Sequence, residues 1–183
     1  MQSKGLFKIA VVLALGLAGF LVQAARAGNF HFTNVFFQLG SLEMQGDLAG
    51  LGNQPAEITL TGYGSAQALC QNKGGRQAPG RNPIVVNTQR TAVFVTDESG
   101  HAEVLVTAPD PTLADVDPSP TPKQAGCPNS NWEVVGFAER SMNWTAATLV
   151  VRDEAGVIQL SLSYACTTTF QDGVSTAVAC VEN

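Results

Sequence analysis

From residue 42 onward the chain alternates short runs rich in Val, Ile, Leu, Thr and aromatics with clusters of Gly, Pro, Asn and Asp, and no window keeps the apolar period of a helix. That punctuation points to antiparallel β-sheet. Leu42, Met44, Gly46 and Leu48 alternate with Glu43, Gln45 and Asp47, which gives one strand an apolar face and a wet face. From Glu57 to Cys70 the set Ile58, Leu60, Ala66, Ala68 and Cys70 opposes Thr59, Thr61 and Gln67, with Gly62 and Gly64 marking a bulge or bend. Further strands are predicted at Ile84–Thr88, Thr91–Thr96, Ala102–Thr107, Trp132–Glu139, Trp144–Val151 and Val157–Cys166. Asp97-Glu98-Ser99-Gly100 and Asp153-Glu154-Ala155-Gly156 read as hairpin turns between their neighbours, each closed by a glycine that accepts positive φ. Roughly seven to nine strands at this spacing predict an all-β, antiparallel β-sandwich, immunoglobulin-like or jelly-roll-like. Cysteine spacing and tryptophan placement do not match an antibody domain, so the likeness stops at architecture.

The start of the chain differs in kind. Lys4 and Lys8 precede an apolar run of 14 residues, Ile9 to Val22, and Ala25-Arg26-Ala27 follows, the pattern of a secretory signal peptide over residues 1–27. The run is shorter than the roughly 20 residues that cross a bilayer, so a cleaved leader is expected, with no membrane span after it. Residues 28–183 then form a single domain, secreted or periplasmic. Removing Lys4, Lys8 and Arg26 leaves 7 basic residues against 15 acidic ones, a net charge of −8 that disfavours nucleic acid and anionic membrane surfaces.

All four cysteines, Cys70, Cys127, Cys166 and Cys180, lie in that exported part, and their even number predicts two disulfides with three possible pairings. Two segments read as irregular. Residues 71–83 hold three glycines and two prolines, and residues 108–131 hold six of the nine prolines. A Cys70–Cys127 bridge would tie both loops to one end of the sandwich and contribute about 4 kcal/mol in the chain-entropy description. It would leave Cys166 with Cys180, symmetric about Gly173 in a C-terminal hairpin (166–180), for about 3 kcal/mol.

No residue constellation identifies a reaction. His31 and His101 stand apart, and no Gly-x-Ser-x-Gly elbow or zinc-ligand spacing occurs, so neither a catalytic residue, a metal nor a cofactor is expected. The adjacent carboxylates Asp97–Glu98 and Asp153–Glu154 sit in turns, where solvated side chains are the ordinary reading. Asp110, Asp115 and Asp117 lack the spacing of a calcium loop. They are expected instead to face Lys73, Arg76 and Arg81 on the other loop, in exposed pairs of about 0 to 1 kcal/mol each. Lys73, Arg76, Arg81, Trp132 and Trp144 are the candidate binding residues. The two tryptophans with Tyr63 would form a sugar-stacking platform if exposed and core if not. Asn143-Trp144-Thr145 is a formal N-glycosylation sequon. Phe30, Phe32 and Phe36 share one strand parity and, with Phe37, read as the first core strand or as a strand donated to a neighbour's sheet.

The stretch Cys70-Gln71-Asn72-Lys73-Gly74-Gly75-Arg76-Gln77-Ala78-Pro79-Gly80-Arg81-Asn82-Pro83, with Gly126-Cys127-Pro128-Asn129, resembles small secreted bacterial β proteins of uncharacterised function. The resemblance spans the central half of the exported chain and implies an extracellular β protein with the two loops as a matched feature. It brings no activity, cofactor or binding residue with it. The expectation is an exported, disulfide-stapled, non-catalytic surface, matrix or binding protein, its partner an extracellular glycan or a second copy. The alternatives are a secreted polysaccharide-active enzyme or carbohydrate-binding module, and a self-assembling fibre subunit using its N-terminal strand.

Overall fold

A computed structural model describes residues 30–38, 41–50, 52 and 54–183, and the predicted signal peptide, residues 1–27, lies outside them. In the described residues nine strands follow one another: β1 His31–Gln38, β2 Leu42–Ala49, β3 Pro55–Asn72, β4 Gln77–Val95, β5 His101–Ala108, β6 Trp132–Phe137, β7 Asn143–Arg152, β8 Ile158–Gln171 and β9 Val174–Glu182. They form two antiparallel sheets, β1–β2–β5 and β4–β3–β7–β8–β9, with β6 joined to β3 beyond the end of β7. Because β3 runs for 18 residues, it pairs with β4 on one side and with β7 and then β6, in tandem, on the other. Among the described residues no helix is long and apolar enough to cross a membrane.

The two sheets pack face to face as the alternation predicts. Leu42, Met44 and Leu48 of β2 and Val104 and Val106 of β5 meet Ile58 and Leu60 of β3 and Leu149 and Val151 of β7. Trp144 is fully buried among them, and at about 1.5 to 3 kcal/mol per buried large apolar side chain this layer dominates folding. The bulge expected near Gly62 and Gly64 lies on the facing strand: Tyr63 pairs with Ala146 and Gly64 with Trp144, so Thr145 is the extra residue. That insertion reverses parity, which lets Trp144 point inward together with Ala147, Leu149 and Val151.

Four local expectations are corrected. Residues 71–83 are mostly strand rather than loop, because β4 is an edge strand whose outward side needs no ladder donors from Pro79 and Pro83. The strands expected at Ile84–Thr88 and Thr91–Thr96 are one continuous part of β4. The turn at Asp97–Gly100 forms, with Asp97 N–H donating to the His101 carbonyl at 2.8 Å, yet it carries the chain from β4 in the large sheet to β5 in the small one instead of closing a hairpin. In β1 a bulge between Thr33 and Phe36, with Asn34 at φ 55°, switches the strand's faces. Phe37 is therefore buried and Phe36 exposed, against the shared parity of Phe30, Phe32 and Phe36. β1 pairs with β2 of its own chain.

The second hairpin turn and the C-terminal hairpin match expectation. Asp153 N–H donates to the Val157 carbonyl at 3.0 Å, and β8 and β9 pair with Cys166 opposite Cys180 around Asp172 and Gly173. Both disulfides form, Cys70–Cys127 and Cys166–Cys180. Of the segment 108–131, Ala108 ends β5 and the rest stays irregular apart from a short 3-10 turn at Leu113–Asp115.

Candidate functional site at the Cys70–Cys127 staple

The end of the sandwich carrying Cys70 is built from two turns locked by their own polar side chains. Asn72 ends β3, and its Oδ1 accepts from the N–H groups of Gly74 at 3.0 Å and Arg76 at 2.9 Å, which closes the chain back into β4. Residues 121–127 coil into a compact turn in which Gln124 Oε1 accepts from the N–H and the hydroxyl of Thr121, and Cys127 N–H donates to the Pro122 carbonyl at 2.8 Å. The coil docks on a bulge of β4: Arg81 N–H donates to the Gly126 carbonyl, Asn82 N–H to the Ala125 carbonyl, and Asn82 Nδ2 to the Gln124 carbonyl at 2.9 Å. This close approach needs glycine at position 126, which has φ 69° and where an added Cβ would stand 3.0 Å from the backbone nitrogens of Arg81 and Asn82. The disulfide then ties the coil to the fully buried Cys70.

Two adjoining depressions open on this stapled end. One, of about 420 Å³, is lined by Asn72, Lys73, Gly74, Asn129, Asn131 and Trp132. The other, of about 440 Å³, is lined by Thr121, Pro122, Lys123, Cys127, Asn129 and Ser130. Asn129 lines both, so the two adjoin at this residue as a shallow groove in two parts. Its polar lining is weighted toward donors. Asn72 and Asn129 have their side-chain oxygens tied into turns, the latter accepting from Asn131 N–H at 3.0 Å, so each presents its NH2 group from a pinned position. Lys73 and Lys123 add two ammonium groups, and they are the two lysines of residues 28–183. Trp132 supplies a half-buried aromatic ring where β6 begins opposite Asn72.

The structure thus brings Lys73 and Trp132 together and separates the other candidates. Trp144 is core, 0 % exposed, and does not reach a ligand on the surface. Tyr63 lies nine residues from Asn72 along β3, about 30 Å away, so no platform joins it to Trp132. Arg76 is exposed at the tip of the β3–β4 turn, and Arg81 engages the coil through its backbone. The loops meet through backbone and amide groups and the disulfide, not through the expected charge pairing. Asp115 turns its carboxylate onto Thr112, accepting from its N–H at 2.6 Å and its hydroxyl at 2.8 Å. Among the described residues no group of three His, Cys, Asp or Glu is placed to hold a metal ion.

Sequence reasoning missed Lys123, Asn129 and Asn131. A signal was present, since both lysines of residues 28–183 lie within four residues of Cys70 or Cys127 in sequence. A smaller cavity of about 220 Å³ lies between β6 and β7, with Asp110, Glu139, Arg140, Ser141 and Ser175 in its lining. Its hydroxyls already hold the turn. Ser175 donates through N–H and Oγ to the Arg140 carbonyl, both at 2.8 Å, and keeps Arg140 at φ 53°, while Ser141 Oγ donates to the Ala138 carbonyl at 2.7 Å. A cavity of that size falls below the usual range for ligand pockets. The chain matches no protein-family model and no curated protein.

Proposed function

We propose that the protein is an exported, non-catalytic binding module whose ligand is an acidic extracellular glycan, held in the groove beside the Cys70–Cys127 staple. One observation carries this reading: in a chain of net negative charge, both lysines of the exported part converge with Trp132 and two pinned asparagine amides on this two-part groove. The chemistry fits a sugar acid. An indole face packs against pyranose C–H groups, amide NH2 groups donate to hydroxyl and ring oxygens, and ammonium groups pair with carboxylates as point charges. Two disulfides suit an oxidising compartment, which supports export. A groove held by a disulfide and a backbone lattice is already ordered, so binding loses little entropy in closing it.

The test is a fluorescence and calorimetric titration with uronic-acid oligosaccharides against neutral glucans of the same length. Binding of the acidic series that weakens with salt, is lost in Trp132→Ala and falls about tenfold or more in Lys73→Met with Lys123→Met supports the reading. Equal affinity for neutral and acidic glycans would remove the role of the lysines. No response to either series would remove the glycan.

A further inference from the structure

The outer face of the large sheet is almost free of charge. Reading the ladders across it, Val93, Glu57, Arg152 and Ile158 form a row near one end. Next come Thr91, Thr59, Val150 and Ser161, then Gln89, Thr61, Thr148 and Ser163. The following row runs Asn87, Tyr63, Ala146, Ala165 and Val181 across all five strands. Glu57 and Arg152 are direct cross-strand neighbours, so even the charged row is neutral as a unit. Large apolar side chains stand in solvent here: Val85 is 81 % exposed, Val181 71 % and Val93 65 %. Thr59 and Thr91 already bond hydroxyl to hydroxyl at 2.9 Å, which lowers the penalty for covering them.

We infer that this face is an isologous interface with a second copy of the chain. Charge selects the partner. A chain of net charge −5 repels its own kind wherever acidic side chains face each other, and this is a face where that repulsion vanishes. A cationic or anionic partner finds no counter-charge on it beyond a neutral pair. Shape agrees, because five antiparallel strands carry a cumulative twist that a flat surface meets only in part. A second copy has the same twist, and two such sheets stack about 10 Å apart in the aligned geometry. Size agrees as well. Four strands at about 4.8 Å spacing, with β9 joining only from the Tyr63 row, and about 27 Å of strand length give about 500 Å² per copy, or about 1,000 Å² in total, the least that a specific, reversible interface needs. The groove residues lie at and beyond Asn72 on β3, outside these rows, so the dimer leaves both grooves open and is bivalent toward a repeating polymer. The inference stands on the sheet alone and does not require the groove to bind a glycan.

Sedimentation velocity and light scattering of the purified protein over a concentration series, with no glycan present, test it. The expected result is a reversible dimer whose dissociation constant rises about 100-fold or more in Thr61→Arg and in Thr148→Arg, with far-UV circular dichroism and melting temperature retained. Leu105→Arg, an exposed position on the small sheet, is expected to leave the dimer intact. The mass of a single copy at every concentration overturns the inference, as does a dimer that Leu105→Arg disrupts as readily as Thr61→Arg. Larger oligomers that survive Thr61→Arg overturn it in favour of edge pairing along β4.

Discussion

The indole of Trp144 occupies the space that a side chain at Gly62 would need: a Cβ there would lie 2.6 Å from Trp144 Cζ3 and 2.8 Å from Leu42 Cδ2. Glycine at 62 is thus a packing requirement of the core. Gly62→Ala is expected to lower unfolding free energy by about 1 to 3 kcal/mol through forced displacement of the indole. Gly136→Ala, where nothing lies within 4 Å of an added Cβ, is expected to be neutral or slightly stabilising. Urea unfolding of the two variants side by side checks the difference, and equal effects would show that Trp144 has room to move.

The same inner row carries polar atoms without partners. Thr88, Gly62, Ala147 and Tyr164 are successive partners across the large sheet, and the side-chain oxygens of Thr88 and Tyr164 and the Trp144 Nε1 are buried with no hydrogen bond. Thr88→Val removes a buried hydroxyl while keeping shape, so it is expected to stabilise by about 1 kcal/mol at unchanged denaturant slope. A loss of stability in Thr88→Val would reveal a partner for that hydroxyl.

Period-2 alternation made β2 and the inner face of β3 legible, because every residue assigned inward from Leu42 to Cys70 is in fact buried. Turn chemistry located Asp153–Gly156 and Asp172–Gly173 for the same reason: the residues that accept positive φ are few. What alternation hides is parity after a bulge. Nothing in Thr33–Phe36 or at Thr145 marks an inserted residue, so Phe36 and Phe37 exchange roles and Trp144 shares a face with Ala147. Proline misled at 79 and 83, since whether it breaks a strand depends on which edge faces solvent, a property of sheet order and not of local sequence. At the groove, Lys73 and Trp132 were visible as residue types. Lys123 and Asn129 join them only through the coil at 121–127 and the disulfide, contacts too distant in sequence for spacing to show.

Tyr164 gives the fold an alkaline limit. Its ring packs edge-on against Phe37 at 5.0 Å between centroids, and burial first, with the Glu182 charge second, raises its pKa to about 12. The folded chain holds this proton more tightly than the unfolded chain, in which tyrosine titrates near 10, so stability falls as pH rises from about 10 to about 12. Tyr164→Phe keeps the ring and deletes the titration. Relative to this variant, the native chain is expected to lose about 2 kcal/mol across that window. Parallel unfolding curves for the two proteins through the window would show that Tyr164 ionises without unfolding the core.

The two disulfides are expected to separate stability from binding. Cys70 and Cys127 are 57 residues apart in sequence and Cys166 and Cys180 are 14 apart, so removing the first bridge releases the larger loop, for about 4 kcal/mol against about 3. The positions differ more than the energies. Cys127 lines the groove and anchors the segment carrying Lys123 and Asn129, whereas Cys166–Cys180 braces the β8–β9 hairpin. Cys70→Ser with Cys127→Ser is therefore expected to weaken the proposed glycan binding even at temperatures where the β-sheet signal is intact. With the covalent tie gone, the coil is held to β4 by packing of Ala125 and by its hydrogen bonds to Arg81 and Asn82, about 0.5 to 1.5 kcal/mol each, and it no longer fixes Lys123 relative to Lys73. Cys166→Ser with Cys180→Ser is expected to lower the melting temperature and leave affinity unchanged. Calorimetric titration of both double variants against acidic oligosaccharides, with thermal melts alongside, reads both effects. An affinity loss shared equally by the two would place the ligand near the hairpin and away from the stapled groove.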